Sequence, residues 1–191
     1  EIEGSSAGAQ TDYQIRIKVH YGSGTDSGED VYLNEKCRSD FGDIRFTKDD
    51  GETLLDYWME EKVDSDYAIF WVKVPNIPAS PDKATIYVYY GKSDATYNGD
   101  GGSVFIYFND MESLSDLSYN CASVSGSEAI LDPNGSQPAA YLRREVGVGY
   151  GHAFRVRTKW ADEYGGWKEQ GFGWTSWTGA TSNQYDNVES S

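Results

Sequence analysis

The sequence predicts an all-β fold: an antiparallel β-sandwich, jelly-roll-like, in two β-rich parts. Three observations predict it. Several stretches alternate apolar and polar residues with a period of two, the pattern of a half-buried strand. No window sustains a 3.6-residue apolar period. Aromatic residues make up 15% of the chain, with fifteen tyrosines among them, and such side chains suit a pleated surface. At 191 residues the chain fits one large or two small domains and can bury a core of its own.

Taken in order, residues 1–10 are small and polar and are expected to fray. The opening EIEGSSAGAQ has no leader-like apolar run and reads as a mature N-terminus or the boundary of an excised piece. Residues 11–19 form an amphipathic strand, with Tyr13, Ile15, Ile17 and Val19 inward and Asp12, Gln14, Arg16 and Lys18 outward. Residues 20–36 read as a long loop rich in glycine and acidic groups. Residues 43–48 alternate again. Asp50-Gly51 follows as a hairpin turn, because glycine accepts positive φ without steric cost, and residues 54–59 supply the return strand. Residues 67–74 are apolar on both faces, as in the middle of a packed sheet, and Pro75 and Pro78 are expected to end that strand. Residues 86–90 are a last β-branched and aromatic run stopped by Gly91. Tyr87 and Tyr89 share one of its faces, opposite Ile86, Val88 and Tyr90, and either face is a candidate exposed aromatic ladder.

The polar, glycine-rich residues 92–103 read as a linker and place the domain boundary, giving parts 1–103 and 104–191. Residues 104–108 form a short apolar strand, and residues 109–120 a loop with little pattern. Asp132-Pro133-Asn134-Gly135 is a turn between two short strands, and Asn134-Gly135-Ser136 is a glycosylation sequon. Residues 152–160 alternate once more, with Phe154, Val156 and Trp160 inward. Only five or six candidate strands follow residue 104. The second part is therefore expected to be incomplete by itself, continued past Ser191 or completed by the first part or a neighbouring copy.

Five motifs occur in order within the first part: residues 39–46 (SDFGDIRF), Asp50-Gly51, residues 55–58 (LDYW), residues 71–78 (WVKVPNIP) and residues 86–91 (IYVYYG). Together they resemble an extracellular domain family of archaeal and bacterial proteins that has no settled biochemical role. The resemblance covers roughly residues 11–108. It implies a small β-sandwich in a secreted or surface-attached protein, often placed before a concanavalin-like lectin/glucanase domain. Residues 105–111 (FIYFNDM) loosely match the opening of such a domain. In that exported context Cys37 and Cys121 are expected to form a disulfide.

The formal charge of −15 excludes nucleic acid and anionic membrane surfaces as natural partners, because phosphate would be repelled. No segment approaches the roughly 18 apolar residues of a membrane span. Enzymatic signals are missing: His20 and His152 stand alone, and no G-x-S-x-G, H-E-x-x-H or P-loop occurs. A retaining glycosidase needs two carboxylates about 5–5.5 Å apart on one face. The pairs Glu60/Glu61 and Asp162/Glu163 are adjacent and should point to opposite faces of a strand. No catalysis is expected.

Two binding chemistries stay open. Calcium takes oxygen ligands from loops, and Asn109, Asp110 and Glu112 at the expected domain junction are the preferred set. Sugars stack on flat rings, and Trp167, Trp174 and Trp177 stand among glycines that keep rings accessible. Arg38, Asp40, Asp43 and Arg45 form a mixed-charge cluster in the first motif. They are expected to be a structural corner built on a bidentate arginine–carboxylate pair. The functional expectation is a non-catalytic extracellular module that binds a polysaccharide or cell-surface glycan. The alternative is a structural subunit of a filament or surface layer, whose partners are neighbouring copies of itself.

Overall fold

The computed structural model of the chain describes residues 1–120, 122–131 and 141–143, all within the first of two compact units, Glu1–Gly147 and Val148–Ser191. The fold is all-β. Its strands are β1 (Ile2–Glu3), β2 (Gln10–His20), β3 (Asp30–Tyr32), β4 (Arg45–Thr47), β5 (Tyr57–Val63), β6 (Tyr67–Ile77), β7 (Lys83–Ala84) and β8 (Tyr87–Tyr89). A single helical turn, α1 (Gly101–Val104), follows. Four short strands come last: β9 (Ser118–Asn120), β10 (Ala122–Ser125), β11 (Glu128–Leu131) and β12 (Tyr141–Arg143). Among the described residues no helix is long and apolar enough to cross a membrane.

The main sheet runs β3-β2-β6-β5. β2 and β6 form its spine, paired antiparallel from Gln10↔Ile77 to His20↔Tyr67. The ladder skips Asp12, which stands opposite Pro75. Proline has no N–H to offer there, and Asp12 turns to a positive φ of 50°. Pro75 thus lies inside β6 instead of ending it, and the gap falls on Asp12. Pro75 also disturbs the inward alternation of β2. Ile17 and Val19 are buried, whereas Tyr13, next to the gap, is 50% exposed.

β4 and β8 pair antiparallel, Arg45↔Tyr89 to Thr47↔Tyr87, and pack as a second layer over the inner face of the main sheet. The Asp50-Gly51 turn forms as its residues dictate. Gly51 has φ +72°, Asp50 Oδ1 accepts the Glu52 and Thr53 amides, and Leu54 bridges back to Thr47. Between the layers lie Val19, Phe41, Ile44, Phe46, Ala68, Phe70 and Val72, all fully buried. The Phe46 ring sits 5.5 Å from Phe70 and 5.6 Å from Tyr57, edge or tilted contacts that add to area burial.

Three stretches differ from expectation. Residues 1–10 do not fray: β1 pairs with β7, and Ser5 exchanges amide bonds with Pro78 and Ser80. Gly4 permits this, since a Cβ there would lie 2.2 Å from the Asp82 carbonyl oxygen. The stretch read as a loop over residues 20–36 contains β3, parallel to β2. The Asp26 carboxylate receives the Tyr32 amide at 2.8 Å, and His20 meets Asp30 at 2.6 Å while stacking on Tyr32.

The third difference concerns residues 92–108. They act as a strap across the first part. Residues 101–104 form a helical turn capped by Asp100, where a strand was expected from residue 104. Phe105 and Phe108 then pack on Trp58 and Trp71. The strap is bonded to β5 and β6: the Asp100 amide donates to the Tyr57 carbonyl, and Lys73 Nζ donates to the Ser103 carbonyl. Further on, β10 and β11 form a hairpin closed by Gly126 and Ser127, both at positive φ, as a two-residue primed turn requires.

Cys37 is a free thiol buried in the core; Cys121, its expected disulfide partner, lies outside the described residues. Desolvation, reinforced by the nearby Asp43 charge, pushes the Cys37 thiol up to about 11. Two outcomes are expected. Unreduced protein should yield an alkylated Cys37 peptide in denaturant, while native protein at pH 8 should alkylate at least about tenfold more slowly, because little thiolate is present. A Cys37–Cys121 peptide in unreduced digests would contradict this. Phe70→Ala should lower unfolding free energy by about 3–5 kcal/mol in urea titrations, the range for truncating a fully buried aromatic.

Candidate functional site

The corner between Cys37 and β4 is organised by carboxylates and guanidinium groups. Asp43 is 2% exposed. Its Oδ1 accepts the Arg38 amide at 3.0 Å, and its Oδ2 accepts the Gly91 amide at 2.6 Å. One buried carboxylate thus joins the corner to the end of β8. Arg38 grips Asp40 with two parallel bonds, Nε to Oδ1 at 2.9 Å and Nη2 to Oδ2 at 2.8 Å. Those bonds, with the Gly42 amide, hold the Asp40 carboxyl well below the usual carboxylate range.

The arginines also hold the strap. Arg38 Nη1 donates to the Ser93 carbonyl at 2.6 Å, and Arg45 Nη2 to the Thr96 carbonyl at 2.5 Å. Arg45 Nη1 reaches the Gly42 and Ile44 carbonyls. Further along the strap, the Tyr57 hydroxyl donates to Asn98 at 2.6 Å, and the Met59 amide donates to the Tyr97 hydroxyl at 2.8 Å. Burial pushes the phenols of Tyr57 and Tyr97 up, so both remain neutral at ordinary pH.

Between strap and β8 lies an open cleft of about 580 Å³, bordered by Asp43, Arg45, Tyr89, Tyr90, Lys92 and Asp94. Tyr87 and Tyr89 are the outward face of β8, 47% and 48% exposed, and Tyr90 is 41% exposed. The aromatic ladder is therefore real, and one end of it borders the cleft. The Tyr89 hydroxyl donates to the Gly51 carbonyl at 2.9 Å, which fixes the ring's orientation.

The structure brings Arg38, Asp40, Asp43 and Arg45 together, but only Arg38 and Asp40 pair with each other. Asp43 and Arg45 turn to backbone groups. Sequence reasoning did not find the strap contacts, because their acceptors are carbonyls that no residue type announces.

Glu60 and Glu61 need a correction. β5 and β6 pair with a shift between Met59 and Glu61. A bulge gives the strand one extra residue and breaks its alternation. Trp71 Nε1 donates to Glu60 at 2.8 Å and the Tyr67 hydroxyl to Glu61 at 2.6 Å. Trp71 and Tyr67 are on the same face of β6, opposite buried Phe70 and Val72. Both carboxylates therefore lie on the outer face, and the ground for rejecting this pair does not hold.

Asn109, Asp110 and Glu112 fall on one loop. Asn109 Oδ1 accepts the Met111 amide at 2.7 Å, its Nδ2 donates to Asp116 at 2.8 Å, and Glu112 accepts the Ser127 hydroxyl. Among the described residues no group of three or more His, Cys, Asp or Glu side chains is placed to hold a metal ion. Trp167, Trp174, Trp177, Asn134 and Cys121 lie outside the described residues.

A family model described as Domain of unknown function (DUF2341) matches residues 40–119. That interval holds four of the five sequence motifs whole and all but Ser39 of the first. It includes the corner from Asp40 onward, without Arg38, and all the residues that border the cleft and form the strap. No curated protein and no solved structure matches the chain.

The Arg38–Asp40 pair has a pH signature. A carboxyl held low when folded adds stability that is complete above its unfolded value, about 4, and is lost as pH falls below that. Urea midpoints should thus drop between pH 5 and pH 2.5, and the drop should be shallower in Arg38→Met. Equal slopes for the two proteins would show that the pair contributes nothing to acid sensitivity.

Proposed function

We propose that this chain is a non-catalytic module of a larger secreted or cell-surface protein that binds carbohydrate in the β8 cleft. The observation that supports it best is the pair Tyr89 and Tyr90, exposed beside an open cleft whose wall is bonded in place by two arginines. A preformed concavity that sets two tyrosines beside four charged side chains suits a small polar ligand. Glu60 and Glu61 share a face but border no part of this cleft and already accept hydrogen bonds from Trp71 and Tyr67, which supports binding without turnover. The same proposal keeps residues 104–191 as a concanavalin-like second part, an ion on the Asn109 loop and glycosylation at Asn134.

One observation favours a second reading, a subunit of a filament or surface layer. Among the described residues β8 is hydrogen-bonded to β4 alone. Its outer edge can accept a strand from a neighbouring copy.

On a panel of immobilised polysaccharides, the full chain should be retained by at least one, and Tyr89→Ala should not be. Retention by none, with regular polymers seen by electron microscopy, would favour the second reading.

A further inference from the structure

We propose that the β8 cleft selects uncharged glycans over uronate-bearing or sulfated ones. This rests on the carbohydrate-binding reading above.

The charges at the cleft cancel, with Asp43 and Asp94 against Arg45 and Lys92. The bonding capacity of Asp43 and Arg45 is committed as well, while Lys92 and Asp94 stand exposed as a loose pair of opposite charges. Asp43 takes two backbone amides. Arg45 gives its Nη groups to three backbone carbonyls. Lys92 Nζ lies 3.9 Å from Asp94. Recognition of a carboxylate or sulfate uses an open guanidinium fork or an ammonium group with no counterion. The Arg45 fork instead holds the strap: turning it toward a ligand would release the Thr96 carbonyl and the wall of the cleft with it.

The molecule as a whole works in the same direction. A formal charge of −15 repels a polyanion at distances up to the screening length, about 8 Å at physiological salt. Beyond those charges, what borders the cleft is the partly exposed side chains of Tyr89 and Tyr90. A neutral pyranose suits such rings. Its C–H face lies on a ring, and its hydroxyls exchange hydrogen bonds with water and carbonyl groups at little desolvation cost. With its hydroxyl tied to Gly51, the Tyr89 ring loses little freedom when a sugar settles on it, which limits the entropic cost of binding.

Calorimetry on the full chain would use cellohexaose, mannohexaose and xylohexaose as neutral probes and hexagalacturonate and a chondroitin sulfate hexasaccharide as acidic ones. The expected result is that at least one neutral probe binds, that raising NaCl from 50 to 500 mM leaves its affinity unchanged within about twofold, and that neither acidic probe binds. Tyr89→Ala, checked for folding by circular dichroism, should weaken the neutral probe by about tenfold or more. Tyr89→Phe, which keeps the ring and loses the tether, should weaken it less. Salt-sensitive binding of an acidic probe that depends on Tyr89 would overturn the selectivity and leave the carbohydrate reading standing. Neutral binding indifferent to Tyr89→Ala would overturn the assignment to this cleft. Binding of none of the five probes, with none of the immobilised polysaccharides retaining the chain, would overturn both.

Discussion

The arrangement depends on the buried carboxylate of Asp43. A charge taken out of water costs several kcal/mol unless its environment replaces the lost hydration. Here two backbone amides do so, one from Arg38 and one from Gly91. These amides are remote in sequence, so the same contact that solvates the charge fixes the end of β8 against the corner before β4. The strap is then laid over that junction by Arg38 and Arg45. Truncating Asp43 would leave two amides without their acceptor and would loosen three segments at once. The cleft is a by-product of this joint: its floor, one wall and its rim come from the segments that Asp43 and the arginines hold together.

Much of this was legible in the sequence. Alternation located β2 and β4, a β-branched and aromatic run located β8, the Asp50-Gly51 pair located a turn, and the unbroken apolar run marked β6 as central. The mixed-charge cluster and the tyrosine ladder could be read as well, because residue type and spacing carry those signals. The missed features share a cause. Arg38 bonds to the carbonyl of Ser93 and Arg45 to that of Thr96, and a carbonyl is the same whatever side chain it carries. Composition therefore made residues 92–103 look like a linker when their backbone is what the arginines hold. β3 hid for a similar reason. Its three residues follow a glycine-rich acidic stretch, and what stabilises them is a hydrogen bond and ring stacking with His20, at the far end of another strand.

The bulge was a harder case. Period-two reasoning assumes an unbroken ladder, and one extra residue reverses every inference about faces beyond it. Nothing in Met59-Glu60-Glu61 marks the break. It shows only when the constant register of β2 on β6 is set beside the shifted register of β5 on the same strand.

That extra residue makes the distance between two tryptophans informative. Trp58 and Trp71 face each other across β5 and β6 with twelve residues between them, and one of the twelve is the surplus. A homologous chain with the same turn and one residue fewer in this interval would keep its tryptophans opposed but have a continuous ladder, and adjacent acidic residues there would part to opposite sides. The parity of a spacing, countable in any related sequence without coordinates, therefore reports whether two neighbouring carboxylates stand together or apart.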